Sequence, residues 1–126
     1  MSTTRFSFEE LTVWEKSVEF CEKIIDLTEN IQSDRKHYRL IEQLESAAAS
    51  IAQNIAEGKG RYSKKEFVNF LYISRGSLFE AVTLLIIFHR RKWINNTQLE
   101  FMKGFGGEIG RMISGLISVI KRSTNN

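Results

Sequence analysis

Apolar residues recur at steps of three and four positions in four stretches of this chain, and this spacing restricts the fold more than any other feature. A repeat near 3.6 residues is typical of an amphipathic helix, whereas a half-buried strand alternates at every second residue. The 126 residues include no proline, so no residue of that type breaks the four patterns. The sequence therefore predicts four helices, whose repeating positions are Leu11, Trp14, Val18, Cys21 and Ile25; Leu40, Leu44, Ala48, Ile51 and Ile55; Phe67, Leu71, Ser74, Leu78, Ala81, Leu85 and Phe88; and Leu99, Met102, Gly106, Ile109, Ile113, Leu116 and Ile120.

Polar residues and glycines between these stretches predict where the helices begin and end. Ser63 and Glu66 have the spacing of a capping box before the third helix, and Thr97 and Glu100 have it before the fourth. Residues 58–60 include two glycines, which favour the end of the second helix. Short connections between helices of similar length make neighbours antiparallel. The prediction is a single all-α domain over residues 1–126, an antiparallel up-down-up-down four-helix bundle with helices near 10–30, 37–58, 64–91 and 97–121.

The composition excludes several classes of protein. A single cysteine excludes a disulfide framework and a multi-cysteine metal site, and it fits a reducing cytoplasm. Met1–Glu10 is charged where a signal peptide is apolar. The longest apolar run, Ala81–Phe88, is far shorter than the ~20 residues of a membrane-spanning helix. We therefore expect a soluble cytoplasmic protein with no membrane partner.

No group of residues has the pattern of a catalytic or metal site. A di-iron bundle needs two Glu-x-x-His pairs, but the only histidines are His37 and His89, and neither completes such a pair. Cys21 lies on the apolar pattern of the first helix, where a cysteine usually serves as a small hydrophobic residue. The glycines of the fourth stretch lack the lysine and strand context of a phosphate loop. The sequence predicts no catalytic residue, metal, cofactor or small-molecule substrate, and hence a protein that is not an enzyme.

The first helix carries more apolar surface than one core requires. A second apolar pattern lies about 130° around the helix from the first. This second pattern could be seated in the chain's own bundle, or another subunit could cover it, because monomers rarely expose large apolar patches. We favour a homo-oligomer whose interface consists of Val13, Phe20, Ile24, Leu27 and Ile31.

Polar residues also recur on one face of the second helix and one face of the third. If these two faces meet, their side chains need hydrogen-bond partners. The favoured interpretation is a structural network that fixes the register of the helices, and the alternative is an acidic functional cluster around Glu57 and Glu80. The residues of this polar network are Gln43, Ser50, Asn54, Glu57, Ser77 and Glu80.

Charge is divided unequally along the chain. Residues 1–58 contain 6 basic and 11 acidic side chains, a balance of −5, whereas residues 59–126 contain 12 and 4, a balance of +8. In an up-down bundle the second loop and the end of the fourth helix lie at the same pole, where Tyr62 offers a stacking surface. We predict a phosphate-binding patch at this pole, with an affinity that falls steeply as salt rises. Its residues are Lys59, Arg61, Lys64, Lys65, Lys121 and Arg122.

A second group of basic residues is predicted at the opposite pole. Positive charge is favourable near a helix C-terminus, and this effect is enough to account for the run at 90–92. The group consists of Arg35, Lys36, Arg39, Arg90, Arg91 and Lys92.

Three blocks of the sequence, in order and at the expected separation, resemble a known family. The first is Phe8–Trp14, the second runs from Gln43 through Ser50–Gly58 to Phe67, and the third is Arg75–Glu80. Together they resemble the 23S rRNA intervening-sequence-encoded four-helix bundle proteins over nearly the whole chain. The resemblance implies a small bacterial bundle, similar in fold to the accessory protein of diversity-generating retroelements. It also implies a ring-shaped homopentamer with a basic, nucleic-acid-binding character.

Two positions depart from the pattern of that family. Its members usually have a proline in the first interhelix turn, where this chain has residues 31–34, and another at the position of Ala52. The first change leaves the turn less rigid, and the second removes a kink from the second helix. Neither change touches the basic loop.

Two functions from different classes fit these patterns. The first is a homo-oligomeric protein that binds the backbone of structured RNA or DNA without reading its sequence. The second is a protein-interaction scaffold or accessory subunit with no direct nucleic-acid role. A charge-reversed Lys64/Lys65 variant separates them, because only nucleic-acid binding depends on those charges.

Overall fold

The computed structural model describes residues 4–31 and 37–124. Within these two ranges the chain forms helices and no strand, which confirms the predicted all-α class. The helices begin and end within a few residues of the predicted bounds. A one-turn 3₁₀ helix, Ser7–Glu10, precedes four α-helices, which are α1 (Thr12–Glu29), α2 (Tyr38–Lys59), α3 (Lys64–Arg90) and α4 (Asn96–Thr124).

Short connections and interhelix contacts indicate that consecutive helices run antiparallel. Residues 60–63 alone join α2 to α3, and these two helices pack together along their length. The Lys64 side chain at the start of α3 donates a hydrogen bond to Ser123 Oγ at the end of α4 (3.1 Å). Helix α1 packs against both α2 and α4, so the four helices enclose a common core.

The face of α1 that enters this core is the second apolar pattern, which we had assigned to an oligomer interface. Val13, Phe20 and Ile24 are buried within their own chain, with exposed fractions of 5%, 0% and 0%. Leu27 and Ile31 are half-buried and pack against the same core. The predicted interface is therefore wrong at Val13, Phe20 and Ile24, because those side chains have no surface left for a partner.

Two buried polar residues explain why the pattern was misread. Ser17 and Thr28 lie on the core face of α1, where they interrupt its apolar repeat. Ser17 Oγ donates to the Val13 carbonyl (2.7 Å), and the Thr28 hydroxyl lies within hydrogen-bond distance of both the Ile25 carbonyl (3.1 Å) and a carboxylate oxygen of Glu45. A hydroxyl that is hydrogen-bonded in this way can be buried at little cost in free energy, so serine and threonine can occupy core positions. The uninterrupted first pattern is only half-buried or exposed.

The apolar patterns of the other three helices face the core as predicted. Of their positions only Leu40, Phe67 and Leu116 are half-buried, and the others are buried. The polar member, Ser74, donates to the Ile51 carbonyl across the α2–α3 contact (2.8 Å). The shared core therefore rests on an interhelix hydrogen bond as well as on apolar packing.

Helix α3 is long and apolar enough to cross a membrane, judged by length and composition alone. The same composition is found in the central helix of a bundle, which needs apolar residues on more than one side. Leu71, Leu78, Leu85 and Phe88 of α3 are buried in the core of this bundle.

The capping residues agree with prediction at α3 and differ at α4. Ser63 Oγ accepts from the Glu66 backbone amide at 3.1 Å, as the S-x-x-E spacing predicts. The α4 cap lies two residues earlier than predicted, because Asn95 Oδ1 accepts from the Gln98 amide and the Gln98 side chain accepts from the Asn95 amide, both at 2.8 Å. This reciprocal pair is a capping box with Asn and Gln in place of the predicted Thr97 and Glu100.

Helix α3 ends in a left-handed turn at Lys92, which has a φ of 66°. The Lys92 amide bonds to the His89 carbonyl and the Trp93 amide to the Phe88 carbonyl, both at 2.9 Å. The Trp93 and Phe88 rings are in contact, with centroids 5.0 Å apart. These are the bonds and the apolar contact of a Schellman motif, in which glycine is the usual left-handed residue.

Glycines allow close helix contact at two places in the bundle. A Cβ atom on Gly58 would lie 2.7 Å from Phe70 Cβ and 3.0 Å from Phe67 Cδ1. A Cβ atom on Gly106 would lie 3.2 Å from Leu78 Cδ1. No glycine among the described residues has a positive φ, so Gly58 is needed for the approach of α3 and not for a left-handed helix end.

Candidate nucleic-acid interface

The basic residues predicted for phosphate binding lie where α2 ends, α3 begins and α4 ends, a region we call the basic pole. Lys64 and Lys65 are in the first turn of α3, and Lys121 and Arg122 are in the last turns of α4. The Lys64–Ser123 hydrogen bond joins these two helix ends directly. Residues that are far apart in sequence are thus neighbours at one surface.

Three of the lysines line a single concavity between α3 and α4, with a volume of about 460 Å³. No carboxylate lines this part of the described surface. The carboxylates nearby in sequence bond elsewhere, Glu57 to Arg61 and Glu66 to Ser63. We call it the lysine concavity, and the residues that line it are Lys64, Lys65, Val68, Asn69, Tyr72 and Lys121.

Tyr72 is a central residue of this site that the sequence analysis missed. Lys121 Nζ donates to the Tyr72 hydroxyl oxygen at 2.8 Å and lies 5.2 Å from the ring centroid. The Arg75 guanidinium lies 5.0 Å from the same ring. Cations near an aromatic ring are attracted to its electron-rich face. Tyr72 therefore holds two basic side chains in place at the edge of the concavity.

The hydrogen bond from Lys121 lowers the pKa of Tyr72 below its ordinary value. Desolvation raises this pKa, and the charges of Lys121 and Arg75 lower it further. The net direction is downward because the phenolate is stabilised by the adjacent cations. The direction of the shift thus follows from the contacts of Tyr72 with Lys121 and Arg75.

Arg61 and Lys59 lie against α3 aromatic rings at a different part of the basic pole. Arg61 Nη2 pairs with Glu57 Oε1 at 2.7 Å, and its guanidinium lies 4.8 Å from the Phe70 ring centroid. Lys59 Nζ lies 5.9 Å from the ring centroid of Phe67. The charge of Arg61 is thus partly neutralised by Glu57 within the chain.

Two further exposed residues extend the basic pole. Tyr62 is fully exposed in the loop between α2 and α3, where its ring faces are accessible to a stacked base. Arg122 is exposed near the end of α4. Both residues are accessible at the positions that the sequence predicts.

The polar network is divided between an interhelix contact and the basic pole. Ser50 Oγ and Ser77 Oγ are 2.9 Å apart, and the Asn54 amide donates to Ser50 Oγ (2.9 Å). The Gln43 amide nitrogen lies 3.4 Å from Glu80 Oε2. These contacts tie α2 to α3 in one register.

The two acidic members of the network do not form a cluster. Glu80 lies beside Gln43 of α2. Glu57 is fourteen residues after Gln43 on the same helix, which places the two about 21 Å apart along its axis at about 1.5 Å per residue. Glu57 is paired with Arg61 instead. The alternative of an acidic functional site at Glu57 and Glu80 is therefore not supported by the geometry.

Cys21 is half-buried on α1, near two acidic residues. Burial is the main cause that raises the pKa of its thiol, and the carboxylates of Glu45 and Glu22 add to the increase. A raised pKa leaves less of the reactive thiolate at neutral pH. Among residues 4–31 and 37–124, no group of three His, Cys, Asp or Glu side chains is placed to hold a metal ion.

The second basic group, at the opposite pole, lies only partly in the described structure. Arg35 and Lys36 fall outside the described residues, whereas Arg39 and residues 90–92 are exposed at this pole. The last turn of α3 contains Arg90, where its charge complements the helix dipole.

A second surface that the sequence analysis missed is an apolar groove between α3 and α4, with a volume of about 560 Å³. Phe79 in this groove is 59% exposed, and Ile73, six residues earlier on α3, is 52% exposed. Apolar residues outside the predicted core pattern of α3 were the sequence signal for it. We call it the α3–α4 groove, and its apolar and glycine lining is Leu78, Phe79, Val82, Gly106, Gly107 and Gly110.

Comparisons with known proteins agree with this architecture. A protein of unknown function from the S23 ribosomal protein family of Bacteroides thetaiotaomicron has a similar solved structure, with a TM-score of 0.78 and 26% sequence identity. The similarity covers 84% of this chain and 98% of that one. No curated protein matches the chain. Residues 9–115 match the model of the family described as "23S rRNA-intervening sequence protein", and the chain therefore belongs to this family.

Proposed function

We propose that this protein is a non-enzymatic, homo-oligomeric nucleic-acid-binding protein that contacts the phosphate backbone of structured RNA or DNA through its basic pole. The observation that carries the proposal is the lysine concavity, where three lysines meet and no carboxylate lines the described surface. The attractions of several lysines that border one surface add together at a phosphate bound there.

The composition of the basic pole favours backbone binding over sequence reading. Lysine is a flexible point charge, and phosphate contacts carry no direct sequence information. Tyr62 adds a ring that can stack on any base. We expect affinity that depends on charge and on the shape of the nucleic acid, with little preference for sequence.

A binding assay with two charge-matched triple variants tests this proposal. Fluorescence anisotropy with a labelled structured RNA is measured for the wild type and for a variant with Lys64, Lys65 and Lys121 changed to Gln. Each lost phosphate contact to a charged group costs about 1.5–3 kcal/mol, so three losses should weaken binding at least about 10³-fold.

The matched control changes Arg39, Arg90 and Arg91 to Gln, which removes the same charge from the opposite pole. This control should bind RNA within a few-fold of the wild type. Equal loss in both variants would show that overall charge, and not the basic pole, determines binding. No binding by the wild type at low salt would refute the proposal.

Self-association is proposed on the α3–α4 groove instead of the buried face of α1. Phe79 in this groove and Ile73 earlier on α3 are both more than half exposed, and large apolar patches are seldom exposed on a lone monomer. The resemblance to the family implies a pentamer, which for a 14.6-kDa chain means five times that mass, about 73 kDa. Light scattering should give this mass for the wild type and a smaller one for Phe79→Ser. A wild-type mass near 14.6 kDa would contradict self-association.

The same groove supports the second candidate function, a protein-interaction scaffold or accessory subunit. Arg75, Lys103 and Arg111 border its apolar floor, which suits an acidic, amphipathic helix of another protein. This function would be favoured if one partner protein co-purifies with the wild type and with the Lys64/Lys65 charge-reversed variant but does not co-purify with Phe79→Ser. Loss of RNA binding in the charge-reversed variant alone would favour the nucleic-acid function.

A further inference from the structure

Helix α1 has a side facing away from the core that its own chain covers only in part, and we call it the outer face of α1. Its apolar residues are half-buried, apart from Ile25, which is 39% exposed. Carboxylates follow beside them at steps of four and three residues, which places the carboxylates on one side of the helix. The apolar residues are Leu11, Trp14, Val18, Cys21 and Ile25, and the acidic ones are Glu15, Glu19, Glu22, Asp26 and Glu29.

The carboxylates of the outer face are not used by the fold of their own chain. Among the residues that the structure describes, none of the five forms an ion pair with a basic side chain. A helix with an apolar edge and an acidic flank is the kind of ligand that binds in an apolar groove with basic borders. The outer face of α1 therefore needs a partner surface of that kind.

The α3–α4 groove has these complementary properties. Its floor is apolar, and its three glycines contribute no side chain that would fill it. Arg75, Lys103 and Arg111 border the groove, and no carboxylate is among the described residues that line it. Lys103 and Arg111 are eight residues apart on α4, and Glu15 and Glu22 are seven apart on α1. At about 1.5 Å per residue these spacings are about 12 Å and about 10.5 Å, so both carboxylates can face both cations at once.

The two surfaces lie on opposite sides of the bundle. Helix α1 packs against α2 and α4, and α3 packs against the same two helices, so α1 and α3 are diagonally opposed. The groove opens between α3 and α4, whereas Cys21 of the outer face is close to Glu45 of α2. A chain therefore cannot place its own α1 in its own groove. Contact between two such different surfaces is head-to-tail, and it repeats from copy to copy until a ring closes or a filament grows.

We propose that the outer face of α1 of one copy docks into the α3–α4 groove of the next copy. This inference rests on the self-association proposed above and names the surface that the groove binds. It also accounts for the unequal division of charge, since the balance of −5 in residues 1–58 and of +8 in residues 59–126 then attract each other between chains.

Two charge-reversed variants test this pairing, each alone and then mixed. The α1 variant carries Glu15→Lys and Glu22→Lys, and the groove variant carries Lys103→Glu and Arg111→Glu. By light scattering at micromolar concentration each variant alone should have a mass near 14.6 kDa, because its groove and its outer face now repel each other. In an equimolar mixture each groove meets an outer face of opposite charge, so association should return and the mass should at least double.

A control for net charge changes Arg39 and Arg90 to Glu at the opposite pole, which alters the charge by as much as the groove variant does. This control should keep the wild-type mass, and circular dichroism checks that all three variants are folded. Equal loss of association in the control would overturn the inference, because net charge would then explain the result.

The remaining outcomes separate this inference from self-association in general. If the α1 variant alone keeps the wild-type mass, or if the mixture stays at the mass of the monomer, the inference is overturned. Self-association through the groove would still stand in that case if Phe79→Ser lowers the mass of the wild-type assembly. A wild-type mass near 14.6 kDa would refute both.

Discussion

The contact between α2 and α3 at Gly58 makes a stability prediction that follows directly from the structure. Replacement of Gly58 by Ala adds a Cβ atom 2.7 Å from Phe70 Cβ and 3.3 Å from the Phe67 carbonyl oxygen. Neither of these atoms can rotate away, because one is the first atom of its side chain and the other is backbone. Ordinary carbon–carbon contacts lie at about 3.5–4.0 Å, so α3 must move by most of an ångström.

The expected loss is the difference between two terms. Ala favours a helix over Gly by up to about 1 kcal/mol, and the gain is smaller near the end of α2. Overpacking of this kind costs typically 1–3 kcal/mol, and here it also separates two helices. With a gain of about 0.5 kcal/mol subtracted from that cost, we expect Gly58→Ala to lower the free energy of unfolding by about 0.5–2.5 kcal/mol. The shift of Phe70 would also displace Arg61, which stacks on its ring.

Gly104 on α4 supplies the matched control for this prediction. A Cβ atom on Gly104 meets nothing within 4 Å, so Gly104→Ala should raise stability by up to about 1 kcal/mol through helix propensity alone. Urea denaturation followed by circular dichroism measures both variants. A Gly58→Ala protein as stable as Gly104→Ala would refute the close approach of α3 to α2.

Three further predictions concern caps and charges. Asn95→Ala should lower the free energy of unfolding by about 1 kcal/mol through loss of the N-cap, and Thr97→Ala by only a few tenths. Urea denaturation measures both, and a larger loss for Thr97→Ala would indicate that Thr97 is the cap, as the sequence predicts. Lys92→Gly should stabilise the protein by up to about 1 kcal/mol, since glycine adopts a positive φ without strain, and an unchanged or lower melting temperature would contradict this. Lys121→Met should raise the pKa of Tyr72, observed as phenolate absorbance that appears at higher pH, and an unmoved titration would contradict the hydrogen bond. Because the folded-state pKa of Tyr72 is lowered, its phenolate contributes stability only in the alkaline range, and this contribution is lost as pH falls through the folded-state value.

The sequence predicted the fold through the periodicity of α2, α3 and α4, and failed where polar residues entered the core. Buried hydroxyls such as Ser17 Oγ can be satisfied by a carbonyl of their own helix, so a polar residue can occupy a core position. A pattern built on apolar residues alone then selects the wrong face of α1. The α4 cap was misplaced for a related reason, since the Asn95–Gln98 pair makes the same two hydrogen bonds as a Ser/Thr–Glu box.

The basic pole was predictable because topology fixes which helix ends are neighbours, and charge is visible in the sequence. The arrangement within it was not predictable. Whether Arg61 is neutralised depends on the rotation of α2, which brings Glu57 to 2.7 Å from it. Nothing in the sequence distinguishes Tyr72 from the other aromatic residues of α3. Its role follows only from the position of Lys121 on the neighbouring helix.

The salt dependence of nucleic-acid binding tests the central claim most directly. Each phosphate neutralised on a duplex contributes about −0.9 to the slope of log K against log salt concentration. The slope for the wild type should be steep, and the variant lacking the charges of Lys64, Lys65 and Lys121 should lose about 2–3 units of it. The variant lacking those of Arg39, Arg90 and Arg91 should keep the wild-type slope. A flat slope for the wild type, or equal slopes for the wild type and the Lys64/Lys65/Lys121 variant, would contradict phosphate binding at the basic pole.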